Sequence, residues 1–182
     1  MNINRIILTT VLALTSLSFI TLAGKKPAAP KIISLNGTIS EILAGIGQEP
    51  NVIGTDITSN YPESMKRKPK VGHNRTISAE GIIALQPDIL TALTTEVKPE
   101  LAAQLKGAGI KLVLFNQEFT ADGTRKLIKE VAAAFGASKQ GEVMISKLNG
   151  ELTAANKLSK TAAKPKVLFI YARGTGTMMV GG

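Results

Sequence analysis

Short apolar runs alternate with helical segments along the middle of the chain, and this alternation constrains the fold more than any other feature. Four runs have the composition of buried strands, at residues 31–35, 52–54, 89–92 and 110–115. Each run is followed by helix-start signals or by apolar residues at helical spacing. Parallel neighbouring strands need a crossover connection of about a dozen residues or more, and the predicted helices provide such connections. The sequence therefore predicts an α/β fold with a parallel sheet.

The helix starts are marked by residues that cap the first turn. Thr38 with Glu41 matches a capping box, and Gly47 follows the predicted helix as its end. Ser78 is a second candidate N-cap, for a helix that we expect to continue to about Leu85. Further helices are predicted from Pro99 to residues 107–109 and over residues 123–135.

A long helical run without proline covers residues 138–161. At 1.5 Å per residue it would span roughly 35 Å, which is long for a helix that covers one sheet. We therefore expect it to join two lobes, with a new sheet beginning in the apolar stretch 166–171. The predicted organisation is an N-terminal lobe at residues 25–137, an interlobe helix at 138–164, and the incomplete start of a second lobe at 165–182. On this interpretation the chain is a fragment of a longer protein.

The first 24 residues have the pattern of a cleavable signal peptide. A short positive segment ends at Arg5, residues 6–22 are apolar, and residues 21–23 offer a small-residue cleavage site. A membrane anchor is the alternative. Lys25 stands where a lipoprotein would carry its cysteine, so we expect a mature protein in the periplasm rather than a lipoprotein.

Composition excludes several classes of site. The chain has no cysteine, which rules out disulfides, zinc–thiolate sites, iron–sulfur clusters and thiol nucleophiles. Its net charge is +9, but the lysines are scattered and aromatic residues make up only 4% of the chain. Because no nucleic-acid-binding motif accompanies the charge, we expect no nucleic-acid partner. An anionic small ligand or simply a solvated basic surface fits the charge better.

The only histidine, His73, lies in a predicted loop, between Gly72 and the predicted helix start at Ser78. Arg75 follows two residues later, so a metal-competent imidazole, a cation and a helix N-terminus converge there. Loops on a rigid scaffold are where binding residues concentrate. The sequence therefore predicts a ligand site at residues 70–82, although a lone histidine can equally be an ordinary surface residue.

Three segments in the same order resemble the periplasmic substrate-binding proteins of ABC importers for haem, ferric siderophores and vitamin B12. They are residues 34–42, 56–62 and 78–88. The haem-binding branch is the most similar, through Val71-Gly72 and Arg75 leading into residues 78–81. The resemblance implies two α/β lobes joined by a single long helix, of which this chain holds the N-terminal lobe, the helix and the first strand of the second lobe. It also implies a ligand in the cleft between the lobes, no catalysis and no catalytic cofactor.

The resemblance assigns roles to residues in the predicted ligand loop. In haem-binding relatives a tyrosine that ligates the iron stands two residues before the arginine, and here that position is His73. Imidazole is a standard axial donor to haem iron. Arg75 would disfavour protonation of His73 or bind a haem propionate, and Asn74 lies between them. Tyr61, in a neighbouring loop, is the reserve iron ligand.

Three further residues take their roles from the same resemblance. In the family, the loop that begins the second lobe faces the cleft. The resemblance therefore implies that Arg173 and Met178 contact the ligand. Family members carry an acidic residue at the tip of each lobe that pairs with arginines of the membrane subunits. Glu80 stands in that place, so the implied partners are haem and an inner-membrane permease with its ATPase. The alternative for Glu80 is that it complements the helix dipole.

Other functions fit the sequence less well. A ferric siderophore or a corrinoid is the alternative ligand. A secreted hydrolase would require a G-x-S-x-G elbow, which the sequence lacks, or a carboxylate pair drawn from Glu41, Asp56 and Glu80. A dinucleotide site at residues 173–179 fails because Met179 stands where the motif requires glycine.

Overall fold

The computed structural model describes residues 29–73, 76–160, 166, 168–172 and 178–181. Its main sheet has four strands: β1 (Ile32–Ser34), β2 (Val52–Thr55), β3 (Ile89–Leu93) and β4 (Lys111–Phe115). All neighbours pair in parallel, in the order β2-β1-β3-β4. The predicted parallel α/β fold is confirmed.

Six α-helices accompany the strands in the described part of the chain, besides two 3-10 helices at Glu49–Asn51 and Thr94–Glu96. The α-helices are α1 (Gly37–Gly45), α2 (Glu63–Lys66), α3 (Ala79–Ile83), α4 (Pro99–Gly107), α5 (Ala121–Ala134) and α6 (Ser138–Lys160). Helix α6 confirms the predicted long helix. None of the helices in the described ranges is long and apolar enough to cross a membrane.

Helices cover both faces of the sheet, which explains why its strands are apolar without alternation. Ile32 and Ile33 of β1 are fully buried and belong to two different core clusters. The cluster around Ile32 joins α1, α5 and the first half of α6. The cluster around Ile33 joins α3 and α4, through Ile82 and Leu105. The lobe is therefore a three-layer α/β/α structure.

The start of α1 differs from the predicted capping box. Asn36 is the N-cap, and its side-chain oxygen accepts hydrogen bonds from the backbone N–H of Thr38 (2.9 Å) and Ile39 (3.3 Å). The box at Thr38 was therefore wrong, because the helix begins directly after β1, where asparagine already satisfies its first donors. Helix α3 ends at Ile83, before the predicted Leu85. The short helix α2 was not predicted.

The last described residues form a hairpin of two strands rather than the single predicted strand. Strand β5 (Phe169–Ala172) pairs antiparallel with β6 (Met178–Gly181). Glycine-containing segments of about this length commonly join hairpin strands, and this signal at residues 173–177 was available in the sequence. The predicted division at residues 24, 137 and 164 stays a prediction, and the predicted signal peptide lies outside the described residues.

Candidate ligand-binding site

The strand order places a crevice between β1 and β3. From β1 the chain continues to β2 on one side, and from β3 it continues to β4 on the other. Parallel α/β sheets bind ligands at such a switch point, outside the carboxyl ends of the strands. Here the loops after β1 and β3 are bridged, because the side-chain amide of Asn36 donates to Glu96 at 2.9 Å. The crevice therefore has a polar floor.

A buried polar network fixes the loop that follows β2. The hydroxyl of Ser40 in α1 bonds to the hydroxyls of Ser34 (2.9 Å) and Ser59 (2.8 Å). Ser59 donates in turn to Asp56 at 2.6 Å, and the other carboxylate oxygen of Asp56 accepts from the backbone and side chain of Thr58. Ser34, Ser40, Asp56 and Ser59 are fully buried. Buried polar groups that are bonded to one another in this way hold a loop in one conformation.

Lys70 ties three segments together at the same place. Its ammonium donates to the Thr55 hydroxyl (2.8 Å), to the carbonyl of Ser59 (2.7 Å) and to the carbonyl of Met65 (3.2 Å). Lys70 is exposed as a residue, but its ammonium is partly desolvated by these contacts; this desolvation lowers the pKa of Lys70 below its usual value, and the carboxylate of Asp56 opposes the shift. The contacts join the end of β2, the following loop and α2.

His73 is carried by a backbone that continues alongside the end of β2. The N–H of Thr55 donates to the carbonyl of Pro69, the N–H of Val71 to that of Thr55, and the N–H of Ile57 to that of Gly72 (2.9, 2.9 and 3.1 Å). Gly72 has a φ of +120°, a backbone conformation that residues with a Cβ rarely adopt.

A turn then follows His73, because the N–H of Thr76 donates to the His73 carbonyl at 2.7 Å. The histidine is half-buried. The predicted ligand loop is thus attached to the carboxyl end of β2, beside the crevice.

Glu80 and Tyr61 occupy different surroundings. Glu80 is exposed in the first turn of α3, whose N-cap Ser78 accepts from the N–H of Gly81 at 3.3 Å. Tyr61 is 68% exposed and lines an open groove of about 1000 Å³ between α1 and α6, with Ile42 and Met144 among its neighbours. His73 does not line this groove. Tyr61 and His73 therefore lie on loops that share Lys70 as an anchor, but they do not line one pocket.

The side chains of the remaining predicted site residues lie outside the described part of the chain. Asn74, Arg75 and Arg173 lie outside the described residues. Met178 begins β6, where its backbone pairs with Ala172, so it stands in a strand rather than in the predicted loop. Its side chain is likewise outside the described part of the chain.

Phe119 was not among the site residues predicted from the sequence. It lies in the loop between β4 and α5 and is 90% exposed. A large apolar residue among polar ones, in the loop that follows a strand, was the available signal. The loop is braced from α5: the Thr120 hydroxyl accepts from the N–H of Gly123 at 2.9 Å, and Lys126 forms a 3.1 Å ion pair with Glu118. The hydrogen bond and the charge of Glu118 raise the pKa of Lys126.

The arrangement does not favour the carboxylate pair that a hydrolase would use. Asp56 is fully buried, and both of its oxygens accept hydrogen bonds within its own loop. Within the described ranges, no three His, Cys, Asp or Glu side chains form a group that could hold a metal ion.

Comparisons with known proteins agree with the fold. The family model described as "Periplasmic binding protein" matches residues 32–182. The uncharacterized ABC transporter substrate-binding lipoprotein YvrC of Bacillus subtilis (strain 168) is 28% identical over 166 residues, which cover 85% of this chain and 52% of the relative. The vitamin B12-binding protein of Vibrio campbellii is 27% identical over 143 residues, covering 79% and 51%.

Among solved structures, the periplasmic heme-binding protein RhuT from Roseiflexus sp. RS-1 in its apo form matches with a TM-score of 0.77 and 35% identity. The match covers 84% of this chain and 59% of that structure. This chain therefore spans about half the length of the two curated relatives and less than two thirds of the solved one.

Proposed function

The chain belongs to the periplasmic binding protein family, and from this we propose that it serves an ABC importer by capturing haem and delivering it to a membrane permease. The family and the related structures are binding proteins rather than enzymes. The proposal extends to a location in the periplasm, reached through a signal peptide at residues 1–24, and to iron uptake as the role of the transported haem.

The observation that carries the haem assignment is the placement of His73. The only imidazole in the chain stands on a loop that three main-chain hydrogen bonds attach to the carboxyl end of β2, beside the crevice. Neutral imidazole is an effective axial ligand for haem iron. The RhuT structure, at 35% identity, is that of a heme-binding protein. Together these support haem as the ligand and His73 as its iron donor.

The other predicted residues take supporting roles in this proposal. Arg75 contacts a haem propionate, and Asn74 belongs to the same loop. Arg173 and Met178 contact the ligand from the second-lobe side. Tyr61 remains the reserve iron donor, although it lines a different groove from His73.

A titration with hemin tests the proposal. We expect the parent protein to shift the Soret band on binding, and His73→Ala to weaken binding by at least about tenfold because the iron loses its donor. Tyr61→Phe is the control, since it removes the reserve donor while keeping the ring. If His73→Ala binds hemin with the parent's affinity and spectrum while Tyr61→Phe does not, the donor is Tyr61; unchanged binding in both variants contradicts the site.

A corrinoid is the second candidate ligand. The vitamin B12-binding protein of Vibrio campbellii, at 27% identity, favours it. Cobalamin and a ferric siderophore, titrated beside hemin under the same conditions, distinguish the three. Tight binding of cobalamin with no Soret change for hemin would replace haem by a corrinoid.

Glu80 is proposed to dock the lobe on the permease. It is exposed at the start of α3, which follows the His73 loop. An exposed carboxylate there is available to arginines of a membrane subunit.

A further inference from the structure

We infer that Phe119 is a specificity-determining contact for the flat apolar face of a macrocyclic ligand, and that it approaches the crevice from the side opposite His73. The inference rests on the proposed function and adds to it a residue on the other flank of the site. It predicts that the site recognises the ring system itself and not only a metal at its centre.

The strand order sets the two residues on opposite flanks. The His73 loop is attached to β2, and Phe119 follows β4, which are the two outer strands of the order β2-β1-β3-β4. Three strand spacings separate these outer strands, or roughly 14 Å. The crevice at the carboxyl ends of β1 and β3 lies between them. A broad, flat ligand seated there would meet both loops.

The exposure of Phe119 requires an explanation. At 90% it exceeds that of the other exposed large hydrophobic side chains in the described ranges, of which Leu158 at 76% is the next. An exposed phenylalanine ring gains free energy when a ligand covers it, because its apolar surface is then removed from water. Ile57, which is 47% exposed, follows β2 on the other flank. Both outer loops therefore present apolar surface.

The loop holds the Phe119 backbone in place. A Cβ on Gly123 would clash with the carbonyl oxygen and the Cβ of Glu118, so the chain there can pack against α5 only because residue 123 is glycine. Thr120 caps the same turn through its hydroxyl. The ion pair between Glu118 and Lys126 is exposed and contributes little. Because the backbone is already ordered, little entropy is lost when the ring meets a ligand.

Two ligands that differ only in iron separate this inference from the role of His73. Hemin and iron-free protoporphyrin IX are titrated against the parent, His73→Ala, Phe119→Ala, Phe119→Leu and Phe119→Trp. Phe119→Ala should weaken both ligands about tenfold, because a stacked ring contributes to either macrocycle. The affinities of Phe119→Leu should lie between those of the parent and of Phe119→Ala. Phe119→Trp should retain the parent's affinity. His73→Ala should weaken hemin only.

The control is Leu158→Ala, which removes a comparably exposed apolar side chain from α6. It should leave both affinities unchanged, and thermal unfolding should show that all variants remain folded. If the parent binds both macrocycles and Phe119→Ala binds them equally well, the inference is overturned and the proposed function stands. Retained binding by Phe119→Ala with a loss of uptake alone would also overturn the inference, and would assign the ring to a membrane partner. If the parent binds neither macrocycle, the proposed function and the inference both fail.

Discussion

Lys70 and His73 stand three residues apart in one loop and act differently. The ammonium of Lys70 bonds to Thr55, Ser59 and Met65, all within the lobe, so it shapes the loop. His73 lies beyond Gly72, whose positive φ turns the chain at the edge of the crevice. Lys70 anchors the loop, and His73 is the residue that we propose contacts the ligand.

The pKa of Lys70 leads to a prediction about pH. Partial desolvation lowers this pKa in the folded state, so between the lowered value and the usual 10.5 the unfolded chain retains more of the proton. The free energy of unfolding should therefore gain a small positive contribution as the pH rises through that window, while the cost of partly desolvating the charge is fully present below it. Lys70→Met should lose this contribution.

Urea unfolding at a series of pH values up to about 10.5 measures the effect. Lys66→Met is the matched control, because Lys66 is an exposed lysine of α2 whose ion pair with Glu63 is long and exposed. The pH dependence of Lys66→Met should equal the parent's. The same pH dependence in Lys70→Met and the parent would contradict the lowered pKa.

At the scale of elements, Asn36 links β1, α1 and the loop after β3. Its side-chain oxygen caps α1 and its amide donates to Glu96, so one side chain both starts a helix and bridges the floor of the crevice. The two roles use different atoms. Substitutions can therefore separate them.

Asn36→Ala should lower the free energy of unfolding by about 1 kcal/mol from the lost cap, plus the loss of the bridge. Asn36→Ser keeps a capping oxygen and loses the bridge, so it should be less destabilising than alanine. Asn36→Asp keeps the cap but sets a second carboxylate against Glu96, and should be destabilised further as the pH rises above the carboxyl pKa values. Urea unfolding of the three variants checks this order. Equal stability of the serine and alanine variants would show that the cap contributes nothing.

The elements that sequence predicted well are those with strong periodic or capping signals. The four strands and α6 follow from apolar runs and from an uninterrupted helical pattern, and their bounds agree within a few residues. Helix α2 was missed because four residues carry too little periodicity. The box at Thr38 was wrong because a stronger cap, Asn36, precedes it.

The site was only partly predictable for a different physical reason. His73 could be found because it is the only imidazole and stands in a glycine-flanked loop. The buried network of Ser34, Ser40 and Ser59 could not, since a serine in sequence does not reveal whether it faces solvent or another serine. The proposed role of Phe119 depends on the strand order, which places β4 and β2 at the two edges of the sheet. No local segment of the sequence reveals that order.

At the scale of the whole molecule, the binding edge of the lobe carries both the proposed ligand contacts and the proposed docking residue. The His73 loop leads directly into α3, so Glu80 lies seven residues from the histidine in the chain, in the first turn of that helix. A carboxylate there also complements the helix dipole, by about 0.3–1 kcal/mol. Docking on the permease and stabilisation of the helix dipole are therefore two explanations for an acidic residue at this position.

Glu100 separates the two explanations. It is an exposed glutamate in the first turn of α4, so it has the same relation to its helix dipole as Glu80 has to that of α3. Both Glu80→Lys and Glu100→Lys should lose the dipole contribution and unfold at slightly lower urea concentration. Only Glu80→Lys should impair transport, because only Glu80 is proposed to meet the permease.

ATP-driven uptake of haem in vesicles that contain the permease and its ATPase is the measurement. We expect Glu80→Lys to reduce uptake strongly, Glu80→Ala to reduce it less, and both to bind hemin with nearly the parent's affinity. Contacts between exposed charges weaken with ionic strength, so added salt should reduce uptake by the parent more than uptake by Glu80→Ala. If Glu80→Lys and Glu100→Lys transport equally well, Glu80 acts only on the helix that it begins, and the docking contact must be sought elsewhere on the lobe.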